Sequence, residues 1–302
     1  MHLPKKVTII EVGPRDGLQN ESLFVPTDKK LEFIHQLSAS GIKDIEIASF
    51  VSPKRVPQMK DANEILKAIP PSLKSIVLTP NKRGIADALT AGAQAVAVFI
   101  GVSSSFNQHN INRSTEEAMQ ELLPIIEELK SKGIFVRACI STAFHCPYEG
   151  KIDSLKTLAL CKQFVYSGID ELSIADTIGM ATPKETYELF TMLKEQLSNG
   201  LLTAHFHDTR KMALANIYAA LLAGVDRFDS SVGGLGGCPF APGASGNVAT
   251  EDVVYMLHEM GIDTGIQLDS LVAAIDIIKP YVSRSFTSGY YTARTNHSSY
   301  MS

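Results

Sequence analysis

Apolar and polar positions along this chain fall into one recurring unit. A stretch with apolar residues at three- and four-residue spacing runs into a glycine, and a β-rich apolar run follows within a residue or two. The unit occurs at 40–47 (SGIKDIEI), 91–98 (AGAQAVAV), 132–136 (KGIFV), 167–174 (SGIDELSI), 199–201 (NGL) and 223–228 (AGVDRF). Each glycine falls where the C-terminal cap of a helix needs a left-handed residue. Two further openings at 7–11 and 73–79 bring the strands to eight. Helices are predicted over 27–40, 58–69, 82–91, 115–132, 154–167, 184–197, 211–223 and 248–260. Strands separated by helices pair in parallel, because parallel neighbours need a long crossover. Eight such units in about 250 residues predict an α/β fold, a closed (β/α)8 barrel of the TIM type. A doubly wound open sheet is the competing architecture, but no G-x-G-x-x-G turn follows the first strand. After Gly261 the pattern predicts one more amphipathic helix, 270–278, stopped by Pro280 and followed by a polar, Ser-rich tail. The expected division is therefore a catalytic barrel of residues 1–262 with a helical appendage, 263–302, packed on it.

In barrels of this kind the chemistry sits at the C-terminal ends of the strands. Charged residues gather there in this sequence. Strand 1 runs into Glu11 and then Gly13-Pro14-Arg15-Asp16-Gly17, strand 2 carries Glu46, strand 6 ends in Asp176, and strand 7 ends in His205-Phe206-His207. Charges inside apolar strands are costly unless paired or bound to a metal. His205 and His207 share one face of their strand, since side chains alternate. Asp16 can reach them because strands 1 and 7 both flank strand 8, and Asn247 after strand 8 adds a carbonyl oxygen. Two nitrogens with two oxygens suit Mg²⁺ or Mn²⁺, with Zn²⁺ still open. Singly, the same residues read as a core histidine pair, a turn aspartate and a helix cap. Arg15 with Glu46 reads equally as a structural ion pair or as an oxyanion partner held by its carboxylate.

The loop at 233–247 (GGLGGCPFAPGASGN) holds six glycines and two prolines, which suits a hinged lid; a phosphate cradle is its rival. It lacks the Gly-Lys-Ser/Thr of a nucleotide-binding loop. Cys238 in mid-loop is a candidate acid or nucleophile. Cys139 and Cys161 read as inert, and Cys146 has a smaller claim on the site.

Composition serves mainly to exclude. The 302 residues carry 28 Lys+Arg and 32 Asp+Glu, a net charge of −4 without long runs, so no nucleic-acid surface or polybasic membrane patch is indicated. Four cysteines without a C-x-x-C pair fit a reducing compartment. No apolar run approaches the roughly 20 residues of a membrane span. The opening leaves no room for a signal or transit segment, and a cytoplasmic protein is expected.

With those residues named, the chain resembles the hydroxymethylglutaryl-CoA lyases, a branch of the metal-dependent lyase and condensing-enzyme barrels. The segments EVGPRDGLQNE at 11–21, SFVSPKRVPQM at 49–59 and GGLGGCPFAPGASGNVATED at 233–252 look like that family's signatures. The resemblance implies cleavage of 3-hydroxy-3-methylglutaryl-CoA to acetyl-CoA and acetoacetate, a step of leucine degradation and ketone-body formation. It implies Asp16, His205, His207 and Asn247 as metal ligands, Arg15, Glu46 and Cys238 as catalytic residues, and Asp176 and Glu11 as acidic residues of the same site. The base is left open among His205, Asp16 and Glu11. An acyl-CoA substrate and a homodimer are implied as well; Lys54 and Arg55 are candidates for the CoA phosphates. This chain has neither the transit segment nor the peroxisomal-type tail of the family's mitochondrial members, which points to a bacterial cytoplasmic form. The rivals are a synthase condensing acetyl-CoA with a 2-oxo acid and a non-catalytic ligand-binding barrel.

Overall fold

The computed structural model of the chain describes residues 3–197, 200–237 and 246–300. Eight parallel strands close into a barrel. They are β1 (Thr8–Glu11), β2 (Asp44–Ser49), β3 (Lys74–Leu78), β4 (Ala95–Gly101), β5 (Phe135–Ser141), β6 (Glu171–Asp176), β7 (Leu201–Phe206) and β8 (Arg227–Ser230). Each pairs with its neighbours in chain order, and β8 closes onto β1 with Thr8 opposite Arg227 and Glu11 opposite Ser230. The (β/α)8 barrel expected from the repeating unit is the fold. All six glycines of that unit have positive φ, from 72° to 110°. At Gly41 a side chain is also excluded by space, since a Cβ there would lie 2.1 Å from the Gly265 carbonyl oxygen.

The helices are α1 (Thr27–Ala39), α2 (Ala62–Ala68), α3 (Lys82–Thr90), α4 (Ser104–Ile111), α5 (Thr115–Ser131), α6 (Ser154–Tyr166), α7 (Pro183–Gln196), α8 (Ala213–Leu222), α9 (Thr250–Glu259), α10 (Leu268–Ile278) and α11 (Gly289–Tyr300). The expected helix over 58–69 begins later, at Ala62, because Pro57–Met59 form a separate 3₁₀ turn. Two helices are additional. α4 is polar, starts on the Ser103 side chain, which accepts from the Phe106 N–H, and stops at Asn112 in the left-handed region. α11 occupies the stretch expected as a polar tail. The segment after Gly261 joins the helix layer beside α1: Leu271 and Ile275 of α10 belong to the main core, and the Gln36 amide donates to the Ser270 carbonyl. Burying each large side chain of that core contributes roughly 1.5–3 kcal/mol; Phe33, Phe164, Phe190 and Phe228 are fully enclosed.

Alternation along the strands divides the barrel into two faces. Ile9, Ile45, Ile47, Val77, Val96 and Val98 belong to the core between sheet and helices. Inside, one half is apolar, with Ile10, Val12, Ile76, Leu78, Ala95 and Ala97 packed together. The other half is a column of charge. At its lower end Arg227 pairs with Asp44 at 2.7 Å and Glu171 at 3.3 Å. At mid-height Arg137 meets Asp229, and at the rim stand Arg15, Asp16, His205 and His207.

A bulge in β2 helps to build the rim. Glu46 is opposite Ile76, but Ala48 is opposite Val77, so Ile47 is an extra residue in the ladder. The insertion switches parity, and Ser49 comes to line the same cavity as Glu46.

Candidate metal and active site

The chain leaves β1 through one tight turn. The Val12 carbonyl accepts from the backbone N–H groups of Arg15, Asp16 and Gly17 at 3.2, 2.7 and 3.2 Å. Gly17 is required there by crowding: a Cβ would meet Ser231 Oγ at 2.9 Å and Leu235 Cβ at 3.0 Å. The turn aims Arg15 and Asp16 over the barrel mouth. Asp16 Oδ1 accepts from Arg15 Nη1 at 2.6 Å and Gln19 Nε2 at 3.0 Å, and its Oδ2 accepts from Asn247 Nδ2 at 2.8 Å.

His205 ends the inward row of β7, and His207 follows one residue beyond the strand. An antiparallel bridge between His207 and Asn247 brings the end of the 233–247 loop against the histidines. One ligand atom each from Asp16, His205 and His207 lie within 4.8 Å of one another. The Asn247 amide nitrogen is used by Asp16 and by the Leu235 carbonyl, which leaves its oxygen for a ligand. α9 has its N-cap at Ala249, so Asn247 is not a cap.

The charge states fit a divalent cation. Burial opposes ionisation of Asp16, but Arg15, His205, His207 and the Asn247 bond outweigh it and hold the carboxyl below its usual 3.8. Burial and then His205 hold the His207 imidazole down to about 4, so it is neutral at pH 7. Its Nδ1 is buried without a hydrogen-bond partner. A neutral ring with an orphaned nitrogen beside an ionised carboxylate is a donor set a hard or borderline cation satisfies.

Arg15 Nε donates to Glu46 Oε1, and both residues line a cavity of about 410 Å³ together with Asp16, His205, His207 and Asp229. Cys139 also lines it, with a thiol pushed by burial up to about 12, so it stays protonated and unreactive. Arg55 lines the cavity too, whereas Lys54 lines an adjoining groove with Lys60, Lys67 and Arg83.

Glu11 and Asp176 do not line this cavity. Strand alternation explains it: Ile10 and Val12 take the inward positions of β1, and Glu171, Ser173 and Ala175 those of β6. The Asp176 carboxylate accepts from the backbone N–H groups of Met180 and Ala181, both at 2.9 Å. Glu11 accepts from Gly13 N at 2.8 Å and Val232 N at 3.0 Å, with Thr250 Oγ1 2.6 Å from its other oxygen. Burial, reinforced by Glu251, raises the Glu11 carboxyl to about 8. Since the folded value lies above the unfolded 4.5, this acid contributes stability below about pH 4.5 and loses it as pH rises through about 8. Glu11→Gln is therefore expected to flatten the fall in Tm between about pH 5 and 8. Calorimetry showing the wild-type decline in the variant would refute that.

Cys238 lies outside the described residues; Gly237, just before it, lines the cavity. Cys146 is buried away from the cavity, donating to Ser103 Oγ at 3.0 Å. Two charged residues of the interior were not singled out from sequence. Asp229 Oδ2 is 3.1 Å from His205 Nδ1, and Arg137 Nη2 reaches both Asp229 oxygens at 2.5 and 2.6 Å. β8 runs from Arg227 to Ser230 and carries Asp229 into the barrel. Burial disfavours its charge, but Arg137 and His205 hold the carboxyl well below the usual carboxylate range.

Comparison with known proteins shows the family and the fold. A hydroxymethylglutaryl-CoA lyase from mouse mitochondria is 46% identical over 288 residues, covering 95% of this chain and 89% of that one. One from Bacillus subtilis is 44% identical over 292 residues, 94% and 98% of the two chains. The solved hydroxymethylglutaryl-CoA lyase of Pseudomonas aeruginosa superposes with a TM-score of 0.94 at 42% identity, covering 98% of this chain and all of the other. An Acinetobacter baumannii HMG-CoA lyase solved with coenzyme A and 3-methylmalate superposes at 0.91 with 37% identity, over 97% and 96%. The HMGL-like family model matches residues 6–278, and with relatives this similar along its whole length, the chain belongs to the HMGL-like family.

Proposed function

We propose that this chain is a hydroxymethylglutaryl-CoA lyase, cleaving 3-hydroxy-3-methylglutaryl-CoA to acetyl-CoA and acetoacetate. The observation that carries the reading is the convergence of Asp16, His205 and His207 beside Arg15 at the mouth of one cavity. The relatives are named as lyases, which favours cleavage over condensation.

Asp16, His205, His207 and the Asn247 carbonyl would hold a divalent cation, Mg²⁺ or Mn²⁺. When bound it supplies Lewis acidity that lowers the pKa of the substrate's tertiary hydroxyl. The hydroxyl proton passes to the Asp16 carboxylate, since His205 has Nδ1 on Asp229 and its other nitrogen turned to the cation; Glu11 is neutral at pH 7 and stands off the cavity, so it is a poor base. As that oxygen becomes a ketone, the adjacent C–C bond breaks and its electron pair moves to the thioester as an enolate. Arg15, oriented by Glu46, stabilises the enolate oxygen. Cys238 gives its proton to the enolate carbon, completing acetyl-CoA. Its role rests on the family's loop motif at 233–252. Cys238→Ala is expected to lower kcat about 10²-fold with cation affinity unchanged; equal loss of both would make the loop structural.

Following acetoacetate from the proposed thioester, with and without EDTA, tests the whole reading. No EDTA-sensitive product would overturn it. Homodimerisation belongs to the same proposal on family likeness alone, and a light-scattering mass of a single chain would remove it. A cytoplasmic location is proposed as well, relatives being named from both cytoplasm and mitochondria; fractionation of the source cells checks it.

A further inference from the structure

Arg137 heads the fully buried side chains by volume, with no exposure at all. It sits in β5 between Val136 and Ala138, inside the barrel and below the cavity. A guanidinium in that position is costly unless carboxylates surround it. Three do so. Nη2 hydrogen-bonds both oxygens of Asp229, while Nε, 3.4 Å from Glu171 Oε1, and Nη1, 3.9 Å from Glu46 Oε2, face their carboxylates as charges without a hydrogen bond.

Two of these carboxylates hold residues of the site above. Asp229 Oδ2, which also accepts from Ser173 Oγ at 2.8 Å, faces Nδ1 of His205. Glu46 Oε1 faces Arg15 while its other oxygen faces Arg137. Charge neutralisation alone needs only one carboxylate. The arrangement instead places one planar cation behind the supports of two different site residues, on β8 and β2.

We propose that Arg137 is a positioning residue that ties the Asp229 carboxylate behind His205 to the Glu46 carboxylate behind Arg15. Asp229, fixed by Nη2, keeps the His205 ring turned with Nδ1 toward the acid and Nε2 toward the cavity. Glu46, bounded by Arg137 on one side, presents its other oxygen to Arg15. Arg137 touches no reacting atom. Its effect passes through both partners, and a change at either end is felt at the other. This rests on the reading of His205 as a cation ligand.

The test is a double-mutant cycle of Arg137→Gln and Asp229→Asn, read by Mn²⁺ titration calorimetry and by steady-state turnover of the proposed thioester. Circular dichroism confirms the barrel in each variant. Each single variant should weaken Mn²⁺ binding about 10–100-fold. The double variant should bind no more than a few-fold worse than the weaker single, because both break one tie. Arg137→Gln should also lower kcat with KM little changed, the signature of a loosened Arg15. A merely structural role would lower Tm and the active fraction but leave the Mn²⁺ Kd and the kcat per folded molecule at wild-type values. That result overturns the inference, as does full additivity in the cycle. If Arg137→Gln does not fold, Asp229→Asn carries the test alone, and wild-type Mn²⁺ affinity in it is equally fatal. Wild-type protein without saturable Mn²⁺ binding would sink the cation reading of the site and this inference with it.

Discussion

His207→Ala is expected to weaken divalent-cation binding by about 10³-fold while the barrel stays folded. Structural metal sites owe on the order of 10 kcal/mol to their whole ligand set, and one ligand in four carries a share of a few kcal/mol. A loss of about 4 kcal/mol is a thousandfold. His207 is the ligand whose removal separates metal from fold best. Its ring is neutral at pH 7 and its Nδ1 has no protein partner, so truncation to alanine keeps the backbone bridge to Asn247 and breaks no buried ion pair. His205 is less clean, because its truncation would strip Asp229 of a partner as well. Mn²⁺ titration of the folded variant decides it. Affinity within a few-fold of wild type would remove His207 from the ligand set. Turnover should fall in parallel and recover in part when Mn²⁺ is raised, since the defect is in loading.

Most of the architecture was legible because it is written in short-range chemistry. Glycines capping helices before apolar runs fix both element type and order, and parallel pairing follows from the crossovers. The histidine pair was legible by the same alternation that places its two rings on one face. Applied consistently, alternation would also have turned Asp176 and Glu11 away from the cavity: Asp176 follows Ala175 of the inward row, and Glu11 lies between Ile10 and Val12. Arg137 and Asp229 left a signal of another kind, a charge inside an apolar run that must have a buried partner. What hides the pair is that the partners are 92 residues apart, on β5 and β8, and nothing local in either strand names the other. The bulge at Ile47 has no signature in sequence, because one extra residue in a ladder changes parity without changing composition. α4 escaped for a related reason. Its helix is nucleated by the Ser103 cap and a local amide network around Asn107, with little apolar periodicity to announce it.

Arg15→Gln is expected to lower kcat about 10³-fold and leave cation binding intact or slightly tighter. The sign follows from charge. Arg15 Nη1 is 2.6 Å from Asp16 Oδ1, so the guanidinium competes with a cation for that carboxylate and repels it. Removing it takes away a competitor, whereas removing His207 takes away a ligand. The size follows from what Arg15 is placed to do. Removing one preorganised donor to a developing oxyanion costs about 10²–10³-fold in kcat, and a full positive charge is worth the upper end or more. A lysine should rescue little, since one ammonium cannot span Glu46, Asp16 and substrate as the guanidinium does. Stability should fall too, by about 2–4 kcal/mol, because Glu46 is enclosed and would keep only Arg137, at 3.9 Å. Two measurements together separate the readings. Loss of kcat with retained Mn²⁺ affinity supports the oxyanion role. Loss of Mn²⁺ affinity as deep as in His207→Ala would mean that Arg15 builds the cation site, and that nothing in the barrel's rim is reserved for the enolate.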